Sequence, residues 1–163
     1  MTTDTLTRPA KVANAGMSQI VFLAAPEQAR SVVGSCIALT LYHRHTGLGA
    51  LGHIVLPKSE GRGGPPGKFV DTAIPYMIQT LGEEGAASSG LVAKICGGAA
   101  MFGPKGAMQI GANNIEAITE LLAEERISIG GVHLGGEKGR RVTFDCETGK
   151  VTIDVAGKPS TIL

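Results

Sequence analysis

The sequence predicts an α+β domain, an α/β sandwich of mixed β-strands with two main helices. Short apolar runs bounded by Gly and Pro recur along the chain, the pattern of strands joined by tight turns. Two longer segments place apolar residues at helical spacing. The 24 Gly among 163 residues are roughly twice the usual share. They cluster at turns without a triplet repeat, which excludes a collagen-like chain.

Residues 1–17 are small and polar and read as a flexible N-terminal tail, leaving 18–163 as a single domain. Ile20, Val21, Phe22 and Leu23 make a first strand. Residues 31–43 read as one continuous second strand, 43–47 as a turn, and 48–56 as a third strand stopped by Pro57. The segment 58–67 holds four Gly and two Pro and is a loop. Its glycines permit a mobile flap, and without a Gly-Lys-Ser/Thr ending it is no phosphate cradle. Residues 69–85 form a helix through Ile74, Met77, Ile78 and Leu81, with Pro75 tolerable only near its first turn. Residues 91–99 are a strand. Residues 110–127 are a second helix, with Ile115, Ile118, Leu121 and Leu122 on one side and acids on the other. Three short strands follow, over 127–134, 140–146 and 150–156, the last two joined by a turn at Glu147-Thr148-Gly149.

A net charge of +1 argues against a broad grip on nucleic acid or anionic lipid. The chain has no Trp, two Tyr and four Phe, so a base-stacking platform lacks material. The longest apolar stretch, 31–42, falls well short of the ~20 residues a spanning helix needs, so no membrane insertion is expected. The N-terminus lacks the apolar centre of a signal peptide. Three widely spaced cysteines fit a reduced, cytoplasmic protein. Lys138, Arg140 and Arg141 form the notable basic cluster, at a turn and strand edge.

The sharpest chemical feature is Gly34-Ser35-Cys36 in an apolar context. A cysteine is a strong nucleophile once a base serves it, and His is the usual base. Four are available: His43, His45, His53 and His133. If 31–42 and 48–56 form an antiparallel hairpin whose turn centres between Arg44 and His45, Cys36 stands directly opposite His53. Their Cβ atoms would then be ~5 Å apart, close enough for a thiolate–imidazolium contact. His43 and His45 would lie in the turn and face solvent. A zinc set from Cys36, His43, His45 and His53 lacks the usual ligand spacing, and no metal or cofactor is expected. Cys96 and Cys146 read as packing residues. The backbone N–H groups around Gly34 and Ser35 are the candidate oxyanion donors, since no Arg or Lys adjoins them in the sequence.

With these residues in hand, the chain resembles the CheD family. Gly34-Ser35-Cys36 is followed by an apolar strand and by His53 leading into Leu56-Pro57. Phe69 to Pro75 looks like the family's helix opening. Gly97-Gly98-Ala99 with Met101-Phe102, Ile110-Gly111 with Asn114, and Gly135-Gly136 with Gly139-Arg140 continue the resemblance over roughly residues 16 to 155. The family often has an acid where His133 stands.

The resemblance implies a chemoreceptor glutamine deamidase with a three-layer CheD-like cysteine hydrolase fold. Cys36 matches the catalytic cysteine, His53 the catalytic histidine, and Ser31 the hydroxyl residue that is usually Thr. It also implies the cytoplasmic helices of chemoreceptors as substrate and a CheC-type phosphatase as a possible partner. Two other readings stay open from the sequence. One is a non-catalytic binding partner and regulator of such a phosphatase. The other is a cysteine hydrolase or methylesterase with another protein substrate.

Overall fold

The computed structural model describes residues 11–101 and 109–163. Phe102, part of one motif above, lies outside them. Strands β1 (Val12–Asn14), β3 (Gln28–Val33), β8 (Arg140–Asp145), β9 (Val151–Asp154) and β10 (Thr161–Ile162) form one sheet in the order β1-β3-β8-β9-β10. Strands β2 (Ile20–Ala24), β5 (Leu48–Ile54), β4 (Ile37–His43), β6 (Leu91–Gly97) and β7 (Ser128–Leu134) form the other, in that order. Both sheets are mixed: β1 runs parallel to β3 and β6 parallel to β7, the other pairs being antiparallel. Helix α1 spans Val70–Glu83 and helix α2 Ile110–Glu124.

Alternation along the strands builds three layers. In β4, Ile37, Leu39 and Leu41 pack into a core with α1 and α2, through Ala73, Ile74, Met77, Ile118 and Leu122. Ala38 faces the opposite way, into a second core between the sheets with Val33, Leu51, Val142, Phe144 and Ile153. The β4–β5–β6 sheet is therefore the middle layer, covered on both faces. This explains why β4 and β5 are buried almost throughout while β3 and β8 alternate. The α+β class read from the sequence is the class observed.

Several elements differ from the sequence reading. The tail assigned to 1–17 contains β1, three residues whose only ladder among the described residues is with Gln28–Arg30 of β3, and Ala15 is 3% exposed. Residues 31–43 are not one strand. The chain leaves β3 in one sheet, bends over Gly34, Ser35 and Cys36, and joins the other sheet as β4. His43 is buried in β4 rather than in the turn; its Nδ1 accepts from the Thr46 N–H at 3.2 Å. Pro75 sits in the second turn of α1, where the unpaired carbonyl four residues earlier is tolerated because this side faces solvent. Loop 58–67 is tied down. Ser59 N donates to the Asp71 carboxylate at 3.0 Å, and the Arg62 guanidinium donates to the Lys58 and Ser59 carbonyls and stacks over Phe69.

Phe144 fills the space between the sheets at 0% exposure, against the Tyr42 ring. Phe144→Ala is expected to cost about 3–5 kcal/mol in urea unfolding, whereas Val32→Ala, on the exposed face of β3, should change stability by less than ~0.5 kcal/mol.

Candidate active site

Two side chains from different layers meet between the sheets. Ser31, inward-facing on β3 and 2% exposed, donates its hydroxyl proton to the Ala15 carbonyl at 2.7 Å. His53, on β5 and 5% exposed, places Nδ1 at 2.9 Å from Ser31 Oγ and 3.3 Å from Ala15 O. The Ser31 proton is committed to the carbonyl, so the nitrogen must supply the one it shares with Oγ. The neutral ring thus carries its proton on Nδ1 and keeps Nε2 free to accept one. The sequence paired Ser31 with this site only through the family resemblance; the structure brings it onto the ring.

Cys36 reaches the same layer by another route. The β4–β5 register sets Ala38 opposite His53, because the turn centres one residue later than expected, between His45 and Thr46. Cys36 is therefore diagonal to His53 rather than directly opposed. A shift of the turn by one whole residue moves the pairing by two, which preserves the face. Cys36 packs with Ala38 against the core between the sheets, on the side to which the His53 ring points. The expected thiolate–imidazolium contact is absent: among the described residues the sulfur makes no hydrogen bond to the ring. Burial pushes the Cys36 thiol above its ordinary range. Burial also lowers His53, with the Ala15 carbonyl partly opposing that shift. Both groups rest neutral. Cys36 is the half-exposed cysteine; Cys96 and Cys146 are buried, their thiols pushed up to about 12 chiefly by desolvation.

The bend that carries Cys36 is held by its carbonyls. Gly34 O accepts from Ala99 N at 2.9 Å, Cys36 O from Gly98 N at 3.0 Å, and Ser35 O from Asn114 Nδ2 at 3.1 Å. The N–H groups of Gly34, Ser35 and Cys36 have no partner among the described residues. Three consecutive backbone donors beside a half-exposed sulfur can receive a negative oxygen.

The glycine motifs explain how three backbones come so close. A Cβ on Gly97, which has φ +116°, would collide with Cys36 O. One on Gly111 would lie 2.5 Å from Gly98 O. Asn114, one turn beyond Gly111 and 0% exposed, was legible as part of a motif but not as a contact. Its signal was an amide on the apolar side of a helix, where a polar group needs partners.

The remaining candidates lie elsewhere. His45 is in the β4–β5 turn, with its ring centroid 6.4 Å from that of His43. His133 Nδ1 accepts from Arg140 Nη1 at 2.8 Å. Arg140 is 4% exposed, and its guanidinium also donates to the carbonyls of His133 and Gly135. It is a loop clasp, not part of a basic surface. Among the described residues no cluster of three His, Cys, Asp or Glu could hold a metal ion, and no helix is long and apolar enough to cross a membrane.

Residues 55–155 match the family model for CheD chemotactic sensory transduction. A probable chemoreceptor glutamine deamidase CheD of Methanococcus vannielii is 41% identical over 130 residues, covering 78% of this chain and 84% of that protein. The chemoreceptor glutamine deamidase CheD of Thermotoga maritima is 39% identical over 125 residues, covering 77% and 79%. A probable chemoreceptor glutamine deamidase CheD of Clostridium botulinum is 38% identical over 148 residues, covering 87% and 91%.

In the free protein, the rate of Cys36 alkylation by iodoacetamide should rise with a midpoint above the ~8.5 of an unperturbed thiol. A rate plateau below pH 7 would contradict the neutral pair. The lowered His53 value has its own sign. The folded chain binds fewer protons than the unfolded one below the ~6.5 of free imidazole. The stability tied to this ring is present above that pH and lost as pH falls through the folded value, which urea midpoints at stepped pH would register.

Proposed function

The chain belongs to the CheD family, and from that premise we propose that it hydrolyses glutamine side-chain amides of chemoreceptors to glutamate, releasing ammonia, with Cys36 as nucleophile and His53 as base. One observation carries the assignment of roles: the hydrogen bonds of Ser31, His53 and Ala15 leave Nε2 as the ring's proton acceptor, on the face that Cys36 shares. The relatives' names supply the substrate class.

Nε2 takes the Cys36 proton as the sulfur bonds to the amide carbon, so the neutral pair ionises only as it reacts. The carbonyl oxygen becomes an oxyanion, received by the N–H groups of the bend from Gly34 through Ser35 to Cys36. The tetrahedral adduct collapses. The C–N bond breaks, the imidazolium protonates the departing nitrogen, and ammonia leaves a glutamyl thioester. Water then attacks the thioester while Nε2 takes its proton. The C–S bond breaks, the sulfur regains a proton from the imidazolium, and glutamate is released. Ser31 acts through the ring by fixing its tautomer and plane.

A receptor glutamine projects from a folded helical rod, and a half-exposed sulfur on a sheet-crossing bend suits such a substrate. On this reading the enzyme works in the cytoplasm with a CheD-like cysteine hydrolase fold and no cofactor, and a CheC-type phosphatase is a regulatory partner. Its catalytic domain begins before residue 18, because Ala15 O completes the Ser31–His53 arrangement.

Mass spectrometry of a receptor cytoplasmic fragment after incubation tests this. Wild type should convert glutamine to glutamate and Cys36→Ala should not; equal conversion would refute the assignment. His53→Ala should lose about 10²–10⁴-fold in rate. Ser31→Ala should lose only ~2–10-fold, the worth of one hydrogen bond. Methanol in place of ammonia would redirect the reading to an esterase. Binding to a CheC-type phosphatase without any turnover would redirect it to a regulator.

A further inference from the structure

The three carbonyls of the Gly34–Cys36 bend are held by different means. Gly34 O and Cys36 O are held by backbone N–H groups of Ala99 and Gly98. Ser35 O is held by a side chain, the Asn114 amide at 3.1 Å. The second proton of the same nitrogen goes to Val55 O at 3.0 Å, two residues beyond His53. One buried carboxamide thus spans the strand bearing the base and the bend bearing the sulfur.

The direction of that amide is determined. Turning it over would set Oδ1 against two carbonyl oxygens, which repel it. Its Oδ1 has no partner among the described residues, so both available hydrogen bonds are spent on the two carbonyls.

A peptide unit is planar and trans, so the Ser35 C=O and the Cys36 N–H point in opposite directions. Whatever grips the one aims the other. Asn114 lies on α2 with Gly111 one turn before it, where α2 presses against the Gly98 and Ala99 backbone. Drawing the Ser35 carbonyl toward that helix turns the Cys36 N–H away from it, where it has no partner among the described residues.

We infer that Asn114 is a positioning residue for deamidation: by holding the Ser35 carbonyl it aims the Cys36 N–H at the oxygen that becomes negative during attack. This rests on the cysteine mechanism proposed above. It predicts a defect confined to the step that builds negative charge on the substrate oxygen. Thiol reactivity toward an alkylating agent, which builds no such charge, should be spared.

The test compares wild type, Asn114→Leu and Asn114→Ala as full chains, each first shown to unfold cooperatively in urea. Asn114→Leu has similar bulk but no donor, and Asn114→Ala serves if the branched chain impairs folding. Deamidation of a receptor cytoplasmic fragment gives kcat and KM, and iodoacetamide gives the alkylation rate of Cys36 against pH. Loss of one oxyanion donor predicts kcat lower by about 10²-fold, with KM and the alkylation profile unchanged. An unchanged kcat would overturn the inference. So would a fall in kcat matched by a displaced alkylation profile, which would show that Asn114 merely holds the sulfur. Wild type without deamidase activity would instead sink the mechanism on which the inference rests.

Discussion

A chain that leaves one sheet and enters another within three residues gives up its ladder partners and must find others. At Gly34-Ser35-Cys36 the partners come from two places: the backbone of the loop after β6 and one amide on α2. Every other feature of the site follows from this crossing. Ser31 lies in the second half of β3, three residues before the crossing begins, and Cys36 sits at its close because β4 begins immediately after. The glycines at 97 and 111 are required because a Cβ at either would push the supporting backbones apart. The carbonyls point inward to these supports, and the amides have no partner among the described residues.

The electrostatics are those of a resting enzyme. Burial disfavours the charged form of both Cys36 and His53. Under the cysteine mechanism proposed above, charge separation coincides with attack. Neutral groups between two packed sheets also avoid the several kcal/mol that an isolated buried charge would cost. Asn114 Oδ1, buried without a partner among the described residues, carries a penalty of about 1–3 kcal/mol. Its two donated hydrogen bonds offset part of it.

Much of this was legible in the sequence, and the misses have physical causes. Both helices and most strands were readable because their apolar periodicity is strong and their ends carry Gly or Pro. Strand β1 was not, because Val12, Ala13 and Asn14 have little pattern of their own and owe their extension to β3. The break at Gly34 was hidden because Val33 and Ile37 continue the apolar run across it. The Cys36–His53 register depended on where a four-residue turn centres, which composition does not fix. The shared face survived because parity is less sensitive than pairing. His43 was placed in the turn and Arg140 in a basic cluster at a turn and strand edge, yet each is buried and hydrogen-bonded to its own loop.

The contrast among the three cysteines has a practical side. Two are sealed in cores and kept protonated, and one is within reach of solvent at the head of β4. The native chain therefore offers a single address for a spin label or maleimide fluorophore without engineering. A reporter attached there would sit at the site proposed above for the receptor glutamine, so its mobility or emission would read out complex formation under that proposal.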